Sequence, residues 1–136
     1  MNAVKTFIDT NILVYAFTAD EPEKQEAALK ALNKCMPVVS AQVIKEFSNV
    51  LLRKTNADTQ TIKDTINDII TVADVVAEEI ELILASFDIH ERYKFSFYDS
   101  LIVTAALNSK CEILLSEDMQ DGQIIGERLK IVNPLQ

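Results

Sequence analysis

Short apolar segments alternate with longer amphipathic segments along the chain, and this alternation restricts the fold more than any other feature. Residues 4–8 are rich in β-branched and aromatic side chains, and the polar triplet Asp9-Thr10-Asn11 follows directly, as in a buried strand that ends in a turn. Similar segments predict further strands at residues 37–39, 71–76, 112–116 and 129–132. Because helix-length segments separate these strands, crossover connections must join them, which makes the sheet mostly parallel. We therefore expect a three-layer α/β/α fold with a five-stranded, mostly parallel sheet.

The segments between the predicted strands have the features of helices. Pro22 follows two acidic residues and marks a helix start, and Ser40 is a suitable cap for the next helix. Apolar residues then recur at helical spacing, and we expect them to face the core. They are Val43, Phe47, Val50 and Leu51 in one helix, Ile62, Ile66 and Ile69 in the next, and Ile80, Leu84 and Phe87 in the third.

Length and composition fit one globular domain, which we expect to span residues 1–136. The chain is 49% hydrophobic and is long enough to bury a core. Cys35 and Cys111 form no metal-binding or CxxC pattern, so we interpret them as buried free thiols in a reducing cytoplasm. No apolar run approaches the roughly 20 residues that cross a bilayer. The expected location is therefore the cytoplasm, without a membrane partner.

The charge balance restricts the choice of partners. The net charge is −8, from 13 basic and 21 acidic residues. A protein that grips a phosphate backbone usually carries a basic face, so this acidity counts against unaided binding of nucleic acid. It counts less where bound cations supply positive charge, and it suits a basic protein partner. The basic residues near polar segments are candidates for backbone contact, although solvated surface charges are the simpler interpretation: Arg53, Lys54, Arg92 and Lys94.

Four acidic residues lie at positions where a parallel sheet would bind a ligand. Asp9 follows the first strand and Asp118 follows the strand at residues 112–116, so both belong at the carboxyl edge of the sheet. Asp99 lies in the first turn of an apolar helix, and Glu46 lies one turn into the helix after the second strand. Taken singly, each has a structural explanation as a turn residue, an exposed carboxylate, a partner of the helix dipole or a loop acid.

Taken together, the four acids point to a divalent-metal site. Carboxylates that converge in one cleft repel one another unless cations neutralise them, and oxygen ligands suit Mg²⁺ or Mn²⁺. Such a site can polarise a phosphoryl oxygen and activate a water, which favours hydrolysis of nucleic acid. We predict that Asp9, Glu46, Asp99 and Asp118 bind the metal and act in catalysis. Asn11 is a further catalytic candidate that could orient a carboxylate or a water.

Two other families that use an aspartate after a strand fit less well. Phosphatases of the haloacid dehalogenase type need an Asp-x-Asp pair, but Asn11 occupies the second position and removes their acid/base. Response-regulator receivers need an aspartate at the end of the third strand and a lysine after the fifth. Neither Asp74 nor the segment after Val132 provides that pattern.

Four motif segments, in family order and spread over essentially the whole chain, resemble the PIN domain and, within it, the VapC-type toxin ribonucleases. The segments are FIDTNILVY at residues 7–15, VSAQVIKEF at 39–47, SFYDSLI at 96–102 and LLSEDMQDG at 114–122. By resemblance, Asp9, Glu46, Asp99 and Asp118 bind or position the metal, with Thr10, Asn11 and Ser116 as supporting polar groups. Glu117 and Asp121 are close enough in sequence to replace or assist Asp118.

The resemblance implies an Mg²⁺- or Mn²⁺-dependent endoribonuclease that acts as the toxin of a toxin–antitoxin pair. It also implies a homodimer and a small antitoxin protein that inhibits the nuclease and binds DNA, so that the toxin meets DNA only indirectly. One alternative is a catalytically silent PIN-like module that binds a protein partner. Another is a DNA or flap nuclease, although the chain has no room for the insertions such enzymes carry.

Overall fold

Six strands form one sheet in the computed structural model, which describes residues 3–136. The strands are β1 (Val4–Ile8), β2 (Cys35–Ser40), β3 (Asp74–Val76), β4 (Ile113–Leu115), β5 (Ile124–Ile125) and β6 (Leu129–Val132). Their order across the sheet is β3-β2-β1-β4-β6-β5, and every neighbouring pair is parallel except β5 with β6. The α/β fold with a mostly parallel sheet is confirmed.

Helices connect β1 to β2, β2 to β3 and β3 to β4, as the alternating pattern predicts, but β5, and no helix, lies between β4 and β6. They are α1 (Thr10–Phe17), α2 (Pro22–Asn33), α3 (Ala41–Lys54), α4 (Thr59–Val72), α5 (Ile80–Tyr93) and α6 (Phe97–Asn108). Polar side chains cap several of them: Ser40 accepts from Val43 N at 3.2 Å, and Asp58 accepts from Thr61 N at 2.8 Å. These caps fix where α3 and α4 begin.

The sheet has one strand more than expected, and one strand is shorter. The strand predicted at residues 71–76 begins only at Asp74, because α4 continues to Val72. The additional strand β5 is two residues long and forms a hairpin with β6. Its turn places Gly126 and Glu127 at φ of 60° and 61°, and glutamate is an unusual residue there. The hairpin therefore has no clear turn signal in the sequence.

The core lies between the sheet and the helices, and the predicted helix faces are largely confirmed. Val43, Phe47 and Leu51 of α3 are buried, as are Ile62 and Ile69 of α4. The prediction for α5 was wrong, because its buried residues are instead Leu82 and Ser86. The residues expected in the core there are mostly exposed: Ile80 (67%), Leu84 (64%) and Phe87 (51%). Helical spacing identifies an apolar stripe but does not say whether this chain or another one covers it.

Both cysteines are free thiols, as expected, but only Cys111 is buried, whereas Cys35 at the start of β2 is half-buried. Within residues 3–136, no helix combines the length and the apolar character that crossing a membrane requires.

Phe47 is the largest fully buried side chain of α3, and its ring meets the Phe17 ring edge-on, with the two ring centroids 6.2 Å apart. We expect Phe47→Ala to lower the free energy of unfolding by about 3–5 kcal/mol, from lost burial and the cavity that remains. Urea unfolding followed by circular dichroism measures this. Leu52→Ala is the control, since Leu52 is 58% exposed and its loss should change stability by less than about 0.5 kcal/mol. Equal effects of the two variants would contradict the described packing.

Candidate active site

The site is centred on the junction of β1 and β4, from which the strand connections run outward to opposite edges of the sheet. From β1 the chain passes to β2 on one side, whereas β4 lies on the other side of β1. Crevices at such points, beyond the carboxyl ends of the strands, are where open α/β sheets bind ligands. Asp9 follows β1, and its backbone N–H donates to Leu115 O of β4 at 3.0 Å. Ser116 follows β4 directly.

Asp9 is buried, with 7% of its surface exposed, and both of its carboxylate oxygens accept hydrogen bonds. Oδ1 accepts from the backbone N–H of Thr10 at 2.7 Å, which makes Asp9 the cap of α1. Oδ2 accepts from Ser116 Oγ at 2.9 Å. The hydroxyl of Ser116 also accepts from Met119 N at 3.3 Å and so ties the loop after β4 to the same carboxylate.

Burial raises the pKa of Asp9 from its ordinary value of 3.8 to about 6. The hydrogen bonds from Ser116 and Thr10 oppose this shift, while the charges of Asp99 and Glu46 add to it. The carboxylate is thus in a position where its negative charge is costly without a nearby cation.

Glu46 is half-buried on α3 and faces the start of α1. Its Oε1 accepts from Thr10 Oγ1 at 2.6 Å, and its Oε2 accepts from Gln42 Nε2 at 3.4 Å. Thr10 therefore contacts both Asp9, through its backbone, and Glu46, through its hydroxyl. This one residue fixes the two carboxylates relative to each other.

Asp99 lies in the first turn of α6, where the helix dipole favours a negative charge. Ser96 caps this helix by accepting from Asp99 N at 3.1 Å. The segment that follows, from Ser100 to Ala106, is buried throughout, so α6 is held firmly against the rest of the domain. Partial burial raises the pKa of Asp99, and the charges of Asp118 and Glu46 raise it further.

Asp118 is exposed and is the outermost of the four acids. Its Oδ2 accepts from Asn11 Nδ2 at 2.7 Å. Asn11 lies in the first turn of α1, directly after Thr10. The triplet Asp9-Thr10-Asn11 thus reaches three of the four acids: it includes the first and donates hydrogen bonds to Glu46 and Asp118.

One cleft of about 320 Å³ brings the predicted residues together. Asp9, Glu46, Asp99 and Asp118 all line it, and so do Thr10 and Asn11. Ser116 does not line the cleft and acts on it through Asp9. Asn49 and Arg53 also line the cleft, although Asn49 was not predicted there and a surface charge was the simpler interpretation of Arg53. The available signal was their spacing, since they lie three and seven residues after Glu46 on one helix.

The two other acids of this loop, Glu117 and Asp121, form their hydrogen bonds outside the cleft. Glu117 accepts from Tyr15 Oη at 2.7 Å and pairs with Lys24 at 3.2 Å. Asp121 accepts from Asn133 N at 2.8 Å. Of these three neighbours in the loop, only Asp118 lines the cleft.

The chemistry of this donor set fits a hard divalent cation. The four side chains are all carboxylates, and Mg²⁺ and Mn²⁺ prefer such oxygen ligands. Among residues 3–136, no three Asp, Glu, His or Cys side chains lie close enough together to coordinate one metal ion as they stand. In this arrangement, Glu46 and Asp118 are instead hydrogen-bonded to Thr10 and Asn11.

The comparisons with known proteins agree with this fold. The PIN domain family model matches residues 6–120, and the chain therefore belongs to the PIN domain family. No match is found among curated proteins.

Solved structures of toxins share the fold at low sequence identity. The VapC20 toxin of Mycobacterium tuberculosis, which cleaves the sarcin-ricin loop, superposes with a TM-score of 0.69 at 16% identity, covering 83% of this chain and 89% of that one. A toxin–antitoxin complex from Klebsiella pneumoniae gives a TM-score of 0.70 at 18% identity, covering 95% of this chain and 97% of that one. VapBC2 from Rickettsia felis, bound to a DNA fragment from its promoter, gives a TM-score of 0.66 at 13% identity, covering 95% of this chain and 99% of that one. The chain thus has the PIN fold of VapC-type proteins.

The raised pKa of Asp9 predicts how the stability of the metal-free protein depends on pH. Between about pH 4 and pH 6 the folded state keeps a proton that the unfolded state has lost, so stability falls as pH rises and then levels off. Since one pKa unit corresponds to about 1.4 kcal/mol, the loss due to Asp9 is about 3 kcal/mol. Asp9→Asn should not show this fall in stability with rising pH, because asparagine does not titrate. Urea unfolding in EDTA across this pH range tests it, and parallel pH profiles for the two proteins would refute the assignment.

Proposed function

We propose that the protein is a metal-dependent endoribonuclease that hydrolyses RNA phosphodiester bonds and acts as the toxin of a toxin–antitoxin pair. The observation that carries this proposal is the cleft at the β1–β4 junction, which all four predicted acids line. Membership of the PIN domain family and the fold shared with VapC20 support the same activity.

Asp9, Glu46, Asp99 and Asp118 would hold Mg²⁺ or Mn²⁺. When bound, the ion would polarise a phosphoryl oxygen and make a water more nucleophilic near neutral pH. The remaining residues keep the acids in place: Ser116 and the backbone of Thr10 hold Asp9, the hydroxyl of Thr10 holds Glu46, and Asn11 holds Asp118. Catalytic groups need such support because small displacements are costly in rate.

The electrostatics of the cleft support the same proposal. Without a cation, burial and, to a smaller extent, the charges of the other acids raise the pKa of Asp9 and of Asp99. An RNA phosphate would meet repulsion from the same charges in a protein with a net charge of −8. A divalent ion removes both difficulties, since it neutralises the acids and attracts the substrate. In this account the metal contributes to substrate binding as well as to hydrolysis.

The proposed partner is a small antitoxin protein, which would also be the only link to DNA. Two structures with the same fold are complexes of a toxin with its antitoxin, from Klebsiella pneumoniae and from Rickettsia felis. An apolar groove of about 310 Å³ between α1, α2, β2 and α4 supports the presence of a protein ligand, and its rim includes the exposed side chains of Leu29 and Val72. The acidity of the chain favours a partner with basic residues.

The proposed assembly is a homodimer in the cytoplasm. Ile80, Leu84 and Phe87 form an exposed apolar stripe on α5, of the kind that a second protein surface covers. The two free thiols suit a reducing compartment.

Cleavage of a labelled RNA with and without metal tests the nuclease directly. We expect cutting with Mg²⁺ or Mn²⁺ and none in EDTA. Asp9→Asn and Asp99→Asn should each lower the rate by at least about 100-fold, because each removes a charge that would hold the ion.

Glu117→Gln is the matched control, since it changes a neighbouring acid that faces Lys24 and Tyr15 instead of the cleft. It should retain most of the activity. Undiminished cutting in EDTA, or by either aspartate variant, would exclude the metal mechanism. No cutting by the unaltered protein under any metal condition would favour the silent interaction module.

A further inference from the structure

Arg53 lines the acidic cleft and so brings one positive charge into the proposed catalytic site. It follows Glu46 by seven residues, or two turns, on α3, and Asn49 lies between them on the same wall. At about 1.5 Å of rise per residue, Glu46 and Arg53 are about 10 Å apart along the helix axis. Arg53 thus lines the same cleft as the acids, two turns further along α3, where a strand that crosses the cleft would present the phosphate next to the one at the acids.

Arg53 differs from the other charged residues around the cleft in two ways. Among residues 3–136, it is the one basic side chain that lines the cleft, which otherwise carries four carboxylates. None of the three ion pairs found in the described residues includes it, and no hydrogen bond described there uses its guanidinium. The group is thus exposed and available to a ligand.

The chemistry of this position selects an oxyanion. A guanidinium offers a planar set of donors that can bind a phosphate through two parallel hydrogen bonds. Its location in the last turn of α3 also offers a purely structural role, because a positive charge there complements the helix dipole. The dipole effect would be shared with Lys54, the next residue in the same turn, which does not line the cleft.

We propose that Arg53 forms a phosphate subsite that binds the RNA backbone beside the scissile bond and so positions the strand over the four acids. The proposal rests on the proposed nuclease function for the identity of the strand. Arg53 is a positioning residue in this account, since it touches the substrate away from the reacting phosphate. A protein with a net charge of −8 has particular need of such a contact, because its overall charge repels RNA.

The test compares Arg53→Gln and Arg53→Lys with Lys54→Gln as the matched control. Binding of a short fluorescein-labelled single-stranded RNA is measured by fluorescence anisotropy over a range of salt concentrations. These measurements use the Asp99→Asn background, which keeps the RNA intact and removes one repelling charge, and are repeated in EDTA. Cleavage by otherwise unaltered chains supplies KM and kcat.

We expect Arg53→Gln to weaken RNA binding by about 10- to 100-fold, as for the loss of a charge-assisted hydrogen bond. The slope of log affinity against log salt should become shallower by about 0.7, which corresponds to one phosphate contact on a single strand. Arg53→Lys should keep the slope and recover part of the affinity. Lys54→Gln should match the unaltered chain, and the cleavage defect of Arg53→Gln should lie mainly in KM.

The outcomes separate this subsite from the nuclease itself. If Arg53→Gln and Lys54→Gln bind RNA with equal affinity and equal salt slope, the subsite is wrong, even if the protein cuts RNA as proposed. If the unaltered chain cuts no RNA but Arg53→Gln alone loses affinity and slope, the subsite stands and the nuclease proposal fails. A loss of stability without a change in salt slope would assign Arg53 to the helix dipole and overturn the proposal.

Discussion

The buried carboxylate of Asp9 is the group on which the rest of the site depends. Its two oxygens are held by Thr10 N and Ser116 Oγ, so a single side chain joins the end of β1, the start of α1 and the loop after β4. Thr10 then positions Glu46, and the next residue, Asn11, positions Asp118. A carboxylate is costly to bury, and these contacts only partly offset that cost. In the proposed site, a bound divalent cation is required to offset the rest of that cost.

This requirement links the charge of the whole chain to the proposed chemistry. In an acidic protein, a metal ion would bring the phosphate backbone to the proposed site and activate the water, while Arg53 would give the strand a second point of attachment. Substrate binding would then depend on a few discrete contacts instead of a broad basic face. In the proposed function, a partner that covered the cleft would block metal and RNA together.

Much of the fold and the acidic site could be predicted from sequence because their signals are local. Asp9 and Asp99 stand beside a strand end and a helix start that the pattern reveals. The apolar stripe that includes Leu84 was predicted, but its exposure could not be, since helical spacing marks an apolar face without showing what covers it. Sequence could not single out Arg53 from the other basic candidates for a related reason: lining a cleft depends on how α3 is oriented against α1 and α6, which is a tertiary property. The assignment of metal ligands remains a prediction.

Direct measurement of metal binding tests the central claim without relying on any RNA. Electron paramagnetic resonance reports free Mn²⁺, so titrating the metal-free protein with Mn²⁺ gives its affinity for the ion. We predict that the unaltered chain and Glu117→Gln bind Mn²⁺ alike, whereas Asp99→Asn loses at least about tenfold in affinity, as expected when a group at the metal is removed. Equal Mn²⁺ binding by Asp99→Asn, or no binding by the unaltered chain, would contradict a metal site built from the four acids.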